Sequence, residues 1–351
     1  MKDLVAIASQ FALEGRILEI KPLGNGLIND TFRVFTDGAD DYVLQRINHT
    51  IFRDVELLQH NIECATSHIR RKGGMTLTFL PCKATGKTYW TDGETYWRVS
   101  LFIRDAYTFE TVNPQYSFCS GKAFGAFEAL LSDIPDKLGE TIPDFHNMEL
   151  RARQLHQAVE ADPAGRMAQP EVQAILKDLL TYEEQMCKAE QLYREGILPK
   201  RICHCDTKVN NILFDKDGNI LCVIDLDTLM PSYVFSDFGD FLRTAANTVA
   251  EDDPAVGKVD FRMDIFEAFA KGYLESATFL TPLERENLPY AACLFPYMQA
   301  VRFFADYING DTYYKIKYPE HNLVRTRNQV ALFHSALAKV PSMTLYINHL
   351  S

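Results

Sequence analysis

An α+β chain of two lobes is predicted: a small antiparallel sheet lobe carrying one helix over residues 1–103, then a larger, mainly helical lobe over 104–351. Three observations predict it. Alternating, β-rich runs crowd the stretch between Arg16 and Arg104; long apolar patterns of helical period replace them after Ile103; and one short β-rich island, residues 212–224, interrupts the helical part. A chain of 351 residues with 47% hydrophobic and 12% aromatic residues has enough apolar material for two such cores.

In the first lobe the strand signals are Ile17 to Leu23, Ile28 to Phe35, Tyr42 to Ile47, Thr76 to Leu80, Lys87 to Trp90 and Tyr96 to Ile103. Asn25-Gly26 and Asp92-Gly93 read as hairpin turns, because both pairs tolerate the positive φ such turns need. One helix is expected from about Phe52 to Lys72. Val55, Leu58, Ile62, Ala65 and Ile69 share a face, and Gly73-Gly74 ends it. The second lobe carries helical patterns around 117–132, 148–161, 170–195, 261–276, 283–308 and 324–339. Its island is a strand pair, Ile212 to Phe214 and Ile220 to Ile224, joined by the turn residues Asp215 to Gly218.

A net charge of −11 argues against a nucleic-acid footprint, which needs clustered Lys and Arg; the short Arg70-Arg71-Lys72 run suits a helix C-terminus. Eight cysteines are scattered along the chain, as expected of reduced thiols in a cytoplasmic protein. Residues 1–15 lack the pattern of a secretory leader, and no uninterrupted apolar run approaches the ~18 residues of a membrane span. No membrane or nucleic-acid partner is expected.

The chemistry is concentrated around the island. His204-Cys205-Asp206-Thr207-Lys208-Val209-Asn210-Asn211 precedes it, and Ile224-Asp225-Leu226-Asp227 closes it. Phosphoryl transfer from ATP needs an Asp to orient and deprotonate a hydroxyl, and an Asn with a second Asp to hold magnesium against the phosphates. Asp206, Asn211 and Asp225 have that order and spacing, so a protein-kinase-like fold is expected. Lys208 is placed to contact the transferred phosphate. Asp227 would share the face of Asp225 if the strand continued. The alternative is a hairpin with polar turn residues.

Other short patterns are weaker. Asp237-Phe238-Gly239 imitates the metal-binding triplet of kinases but follows no apolar strand, and Gly86-Lys87-Thr88 imitates the end of a P-loop whose first glycine is replaced by Pro81. The strand-turn-strand from Leu23 to Asp30, with Gly24, Gly26 and Asn29, is the candidate cover for the nucleotide phosphates, although a plain hairpin would look the same. Cys203-His204-Cys205 has no second ligand pair of zinc-like spacing; His204 is expected to fix the catalytic loop by hydrogen bonds.

At these residues the chain resembles the aminoglycoside phosphotransferase and choline kinase superfamily, and within it the N-acetylhexosamine 1-kinases. The resemblance runs over nearly the whole chain. It includes Gly26-Leu-Ile-Asn29-Asp30-Thr31-Phe32, Tyr42 to Asn48, Asp206-Thr-Lys208, Ile224 to Pro231, Asp237-Phe-Gly-Asp240, Arg302-Phe-Phe-Ala-Asp-Tyr307, Gly310-Asp311 and Tyr318 to Leu323. The resemblance implies ATP and magnesium as co-substrates and transfer to the anomeric hydroxyl of N-acetylglucosamine or N-acetylgalactosamine. It implies Asp206 as base, Asn211 and Asp225 as metal ligands, and Arg302 as a contact to the sugar acceptor, with Asp240, Arg243 and Tyr107 as further candidates for the acceptor pocket. Arg302 paired with Asp306 along its helix is the structural alternative.

One position departs from the superfamily. Gln45 stands where a nucleotide-clamping lysine is expected, and Arg46 faces the other way by strand alternation. Either magnesium and Lys208 carry more of the neutralisation or Arg46 reaches in, and a clamp to Glu56 or Glu63 is in doubt. A different acceptor (homoserine, choline or an aminoglycoside) and an inactive nucleotide-binding module are the competing readings.

Overall fold

The computed structural model describes residues 3–24 and 28–350. In chain order its elements begin α1 (Leu4–Ala8), β1 (Ile17–Pro22), β2 (Asp30–Thr36), β3 (Tyr42–Ile47), α2 (Val55–Arg71), β4 (Trp90–Thr91) and β5 (Tyr96–Leu101). They continue with α3 (Pro114–Leu131), α4 (Met148–Ala161), α5 (Pro170–Met186), α6 (Lys188–Arg194), β6 (Arg201–Cys203), β7 (Ile212–Phe214), β8 (Ile220–Val223) and β9 (Met230–Ser232). The last are α7 (Val234–Ala245), α8 (Met263–Ser276), α9 (Pro282–Glu286), α10 (Leu288–Ile308) and α11 (His321–His349). The chain divides into two compact units. One comprises Met1–Phe109, Leu130–Pro143 and Asn210–Met230; the other comprises Glu110–Ala129, Asp144–Val209 and Pro231–Ser351.

The first unit is built on an antiparallel sheet of order β1-β2-β3-β5-β4. Alternation in β3 sends Tyr42 and Leu44 into a core with Phe11, Val34, Trp97 and Val99. Asp54 caps α2 by accepting from Leu57 N at 2.8 Å, and Gly73 at φ +78 follows its end. Leu58, Ile62, Ala65 and Ile69 are buried on one face of that helix, each large one stabilising by roughly 1.5–3 kcal/mol. On the same face Asn61 donates to Gly139 O at 2.7 Å and to Leu229 O at 2.9 Å. Thus one polar side chain joins all three segments of the unit.

The second unit surrounds α10, whose residues are nearly all buried, with α4, α7 and α11 against it. Helices α3 and α8 cross at glycines: a Cβ on Gly121 would lie 2.1 Å from Phe269 O, and one on Gly272 2.1 Å from Phe118 O. Phe238, Phe241, Phe269 and Tyr273 form an aromatic stack beside this crossing, with Phe241 and Phe269 parallel at 4.1 Å. At 29 residues α11 is long and apolar enough to cross a membrane, yet it buries Leu323, Val324, Leu332 and Phe333 within the unit.

The α+β expectation holds, with differences in detail. β3 and β7 match their expected limits, and α4 does too. Thr76 to Leu80 forms no strand; it touches the sheet through a single bridge, Phe79 to Ser100. The expected helix 170–195 breaks at Cys187 into α5 and α6. α7 was not anticipated, because its buried face carries Asp237 and Gly239, which read as loop residues in sequence. The Asn25-Gly26 turn lies outside the described residues.

Candidate functional site

The loop that follows β6 belongs to the second unit, and its shape is set by Asp237. This carboxylate accepts from His204 N and Cys205 N, both at 2.7 Å, while Asp237 O accepts from Thr207 Oγ1 at 2.8 Å. Cys205 takes a left-handed φ of +62, a strained value that these bonds hold in place. His204 is fully buried; its Nδ1 accepts from Asp206 N at 3.3 Å and its ring meets Phe124 edge-on at 5.4 Å. Hydrogen bonding of His204 within the loop therefore matches expectation. Burial pushes the Cys203 and Cys205 thiols up, and Cys203 donates to Tyr233 O at 3.4 Å. With Glu128 and Asp237, Cys203 forms a tight buried group of potential ligands, but both Asp237 oxygens are taken by backbone N–H groups.

Asp206 emerges from this loop with its carboxylate against Lys208 Nζ at 2.6 Å, and both side chains remain partly open to solvent. Thr207 N donates to Asp240 at 3.1 Å, which ties the loop to α7 a second time. Burial raises Asp240 to about 6 against the pull of Arg243, and the negative charge of Asp206 raises it further. Arg243 in turn pairs with Glu251 at 2.8 Å and with Asp240 at 3.7 Å. Asp206, Lys208, Asp240 and Arg243 are thus one electrostatic chain.

Asn211 and Asp225 belong to the first unit, at one end of the β7-β8 hairpin. The register pairs Ile212 with Val223, and Ile224 N donates to Asn211 O at 2.9 Å. Asp225 follows at φ +59 and opens a 3-10 turn over Leu226–Thr228. An amide oxygen and a carboxylate are hard donors suited to a magnesium-like cation, so the pair fits such an ion. The strand does not continue to Asp227, so the condition for Asp227 to share the face of Asp225 is not met: the left-handed Asp225 turns the chain. Asp227 is instead buried against Arg98 at 2.5 Å, while Asn29 Nδ2 donates to its other oxygen at 2.5 Å.

Arg98 places a buried cation beside Gln45. It lies on β5 directly across from Gln45 and donates to Gln45 Oε1 at 3.0 Å and Gln59 Oε1 at 3.3 Å. The sheet therefore keeps a buried cation, supplied by the neighbouring strand. Gln45 also donates to Thr31, and Asn29 Oδ1 accepts from Asn48 N, so these two candidate nucleotide contacts are engaged in the fold. Arg46 is exposed beside Asp30, at 3.5 Å, instead of reaching inward. Glu56 pairs with Lys87 at 2.7 Å and Glu63 accepts from Thr88, so neither is free to hold a clamp, and the P-loop imitation is a set of fold contacts. Gly24 has φ +71 with open space beside it; Gly26 lies outside the described residues.

A cavity of about 450 Å³ opens in the second unit, with Arg151, Gln154, Arg302, Asp306, Tyr313 and Tyr314 on its wall. Arg302 does not pair with Asp306. That carboxylate accepts from Thr312, Tyr313 and Tyr314 N at 2.8–3.0 Å and from Asn322 Nδ2 at 2.9 Å, shaping the loop after α10. Arg302 donates to Gln299 and lies 5.6 Å from the Tyr314 ring. Burial, with the charges of Arg302, Arg151 and Arg243, holds His146 well below its ordinary value. Sequence reading found Arg302 here but missed Arg151, Tyr313 and Tyr314, and Arg98 in the other unit. Tyr107 lies outside this wall, its backbone paired with Phe214.

These parts define a kinase-like phosphotransferase. Residues 19–277 match the family described as "Phosphotransferase enzyme family", and the chain belongs to it. Among solved structures it is similar to an aminoglycoside phosphotransferase from Alicyclobacillus acidocaldarius, at 14% identity and TM-score 0.68, covering 99% of this chain and 97% of that one. A microcompartment-associated aminopropanol kinase aligns at 16% identity and TM-score 0.65, over 97% and 98%. An amicoumacin kinase solved with AMP-PNP and Ca2+ aligns at 12% identity and TM-score 0.61, over 93% and 92%. At these identities the structures support the shared fold.

Proposed function

We propose that the chain transfers the terminal phosphoryl group of ATP, with magnesium, to the anomeric hydroxyl of an N-acetylhexosamine. Asp206 accepts the hydroxyl proton and Lys208 meets the transferred group, within the loop that Asp237 and Asp240 hold rigid. Asn211 and Asp225 hold the metal, which when bound neutralises charge on the phosphates. Gly24, at φ +71, is a candidate for a backbone contact to those phosphates. The binding of AMP-PNP with a divalent cation by the amicoumacin kinase supports this donor chemistry.

The observation that carries the choice of acceptor is the cavity wall. Among the described residues neither Arg151 nor Arg302 forms an ion pair with a carboxylate, although Asp144 acts on Arg151 electrostatically, and Asp306 accepts from three backbone N–H groups and Asn322. Such a wall repels choline, aminopropanol or an aminoglycoside, and offers donors to hydroxyl and amide oxygens. Tyr313, 74% exposed, adds an aromatic face for a sugar ring.

The test is ADP release with ATP, magnesium and a panel of N-acetylglucosamine, N-acetylgalactosamine, glucose, galactose, choline, homoserine and kanamycin. Turnover is expected with an N-acetylhexosamine, yielding an acid-labile sugar phosphate, and Asp206→Asn should lower kcat by roughly 10²–10⁴-fold. Turnover of choline or kanamycin alone would overturn the acceptor, and full activity of Asp206→Asn would overturn the base.

A further inference from the structure

The cavity of the second unit carries more positive charge than a neutral sugar requires. Arg302 has Gln299 as its sole hydrogen-bond partner among the described residues, at 3.2 Å through one of its five N–H groups. Arg151 is largely buried and donates to neutral oxygens: Gln154 Oε1 at 3.0 Å, Phe145 O at 2.7 Å and Asp144 O at 3.2 Å. Its Nε is buried with no acceptor.

Two other arginines of this unit have carboxylate partners. Arg243 has Glu251 and Asp240, and Arg166 has Asp311 at 2.6 Å. Burial, followed by the charge of Arg302, pulls Arg151 down to about 10. A second like charge nearby makes the burial more costly, the negative charge of Asp144 opposes it, and a buried cation is normally paired. His146, held neutral by burial and by these arginines, supplies no counter-charge. Asp306 contributes one negative charge to the wall, already shared among the N–H groups of the 312–314 loop and Asn322.

We propose that Arg151 and Arg302 together form an anion subsite that takes the phosphate or carboxylate group of a small metabolite. Planar guanidinium forks match the oxygen spacing of both groups, and the cavity has room for a ligand of sugar size around the anion. Tyr313 and Tyr314, whose rings meet edge to face at 4.8 Å, cover the apolar part of such a ligand. The site goes beyond the acceptor reading above: it stands whether the anion belongs to a phosphorylated product or to a separate effector.

The experiment is isothermal titration of the full chain, saturated with AMP-PNP and magnesium so that the nucleotide site is closed to competition, with inorganic phosphate in one arm and malonate in the other. One saturable site is expected in at least one arm, weakened about tenfold or more in both Arg151→Gln and Arg302→Gln, consistent with loss of a charge-assisted bond. The arm that binds identifies the anion. Cooperative melting of each variant establishes that it folds; Arg302→Lys, which keeps charge and loses the fork, serves if Arg302→Gln does not fold, and Arg151→Lys serves likewise. No saturable binding in either arm, or binding unchanged in the variants, would overturn the subsite. Because neither arm contains a sugar, the result is independent of N-acetylhexosamine turnover.

Discussion

At the scale of single residues, spacing located the groups and environment decided their work. Asp206, Lys208, Asn211 and Asp225 could be singled out as candidates because their spacing is itself the motif. Asp237 was not: in sequence it is a false metal ligand, whereas in the structure its carboxylate shapes the loop that presents Asp206. Arg98 was equally hidden, since nothing in the run of β5 marks one arginine as buried opposite Asp227. Asp240 carries the pH prediction at this scale. Its folded value, raised to about 6, lies above the ~3.9 of an unfolded aspartate, so the stability it contributes is present below about pH 4 and lost as pH rises through 6. Function should run the opposite way. Below about pH 6 Asp240 protonates and loses its charge opposite Arg243, so kcat/KM should fall along an acid limb near that pH. In Asp240→Asn that limb should disappear and the plateau should drop; a limb of unchanged position in the variant would remove Asp240 from the electrostatic chain.

At the scale of elements, the periodic signals worked where burial is one-sided and failed where it is not. α2 shows a clear buried face and was readable; α7 hides a carboxylate, Asp237, among its buried positions and was not. The α3-α8 crossing was also invisible, because a glycine in a helical pattern reads as a weakness until a neighbour is placed against it. Gly121 and Gly272 let two backbones touch: each hypothetical Cβ falls 2.1 Å from a carbonyl oxygen of the facing helix. No side-chain adjustment relieves a clash with backbone, so the helices must part. Gly272→Ala should therefore cost about 3 kcal/mol in urea denaturation, at the upper end of overpacking effects. Gly257→Ala, where the added Cβ meets open space, is the control and should stay within about 0.5 kcal/mol. Equal midpoints for the two variants would show that the crossing tolerates separation.

At the scale of the whole molecule, the sequence suggests a boundary near residue 103, and composition does change there. Composition follows secondary structure, however, while cohesion follows contacts between distant segments. The sheet unit is completed by 130–143 and 210–230, segments of the chain that read as part of the helical portion. Their contributions are specific. Asp227 neutralises Arg98, which is 2% exposed; Gly139 and Leu229 supply the acceptors for the fully buried Asn61; and Phe214 pairs with the backbone of Tyr107. A fragment spanning 1–109 would retain all five strands of the main sheet and α2 but lose every one of these partners. Leaving a buried guanidinium without its carboxylate costs about 3–5 kcal/mol, and an unsatisfied buried amide adds about 1–3 kcal/mol. Against a total stability of about 5–15 kcal/mol, these losses are decisive. The 1–109 fragment should therefore show no cooperative thermal transition by circular dichroism and poor dispersion in an amide NMR spectrum. A dispersed spectrum with a sharp melt would mean that the hydrophobic core around Phe11, Leu44 and Val99 suffices alone, and that the later segments join a unit already folded.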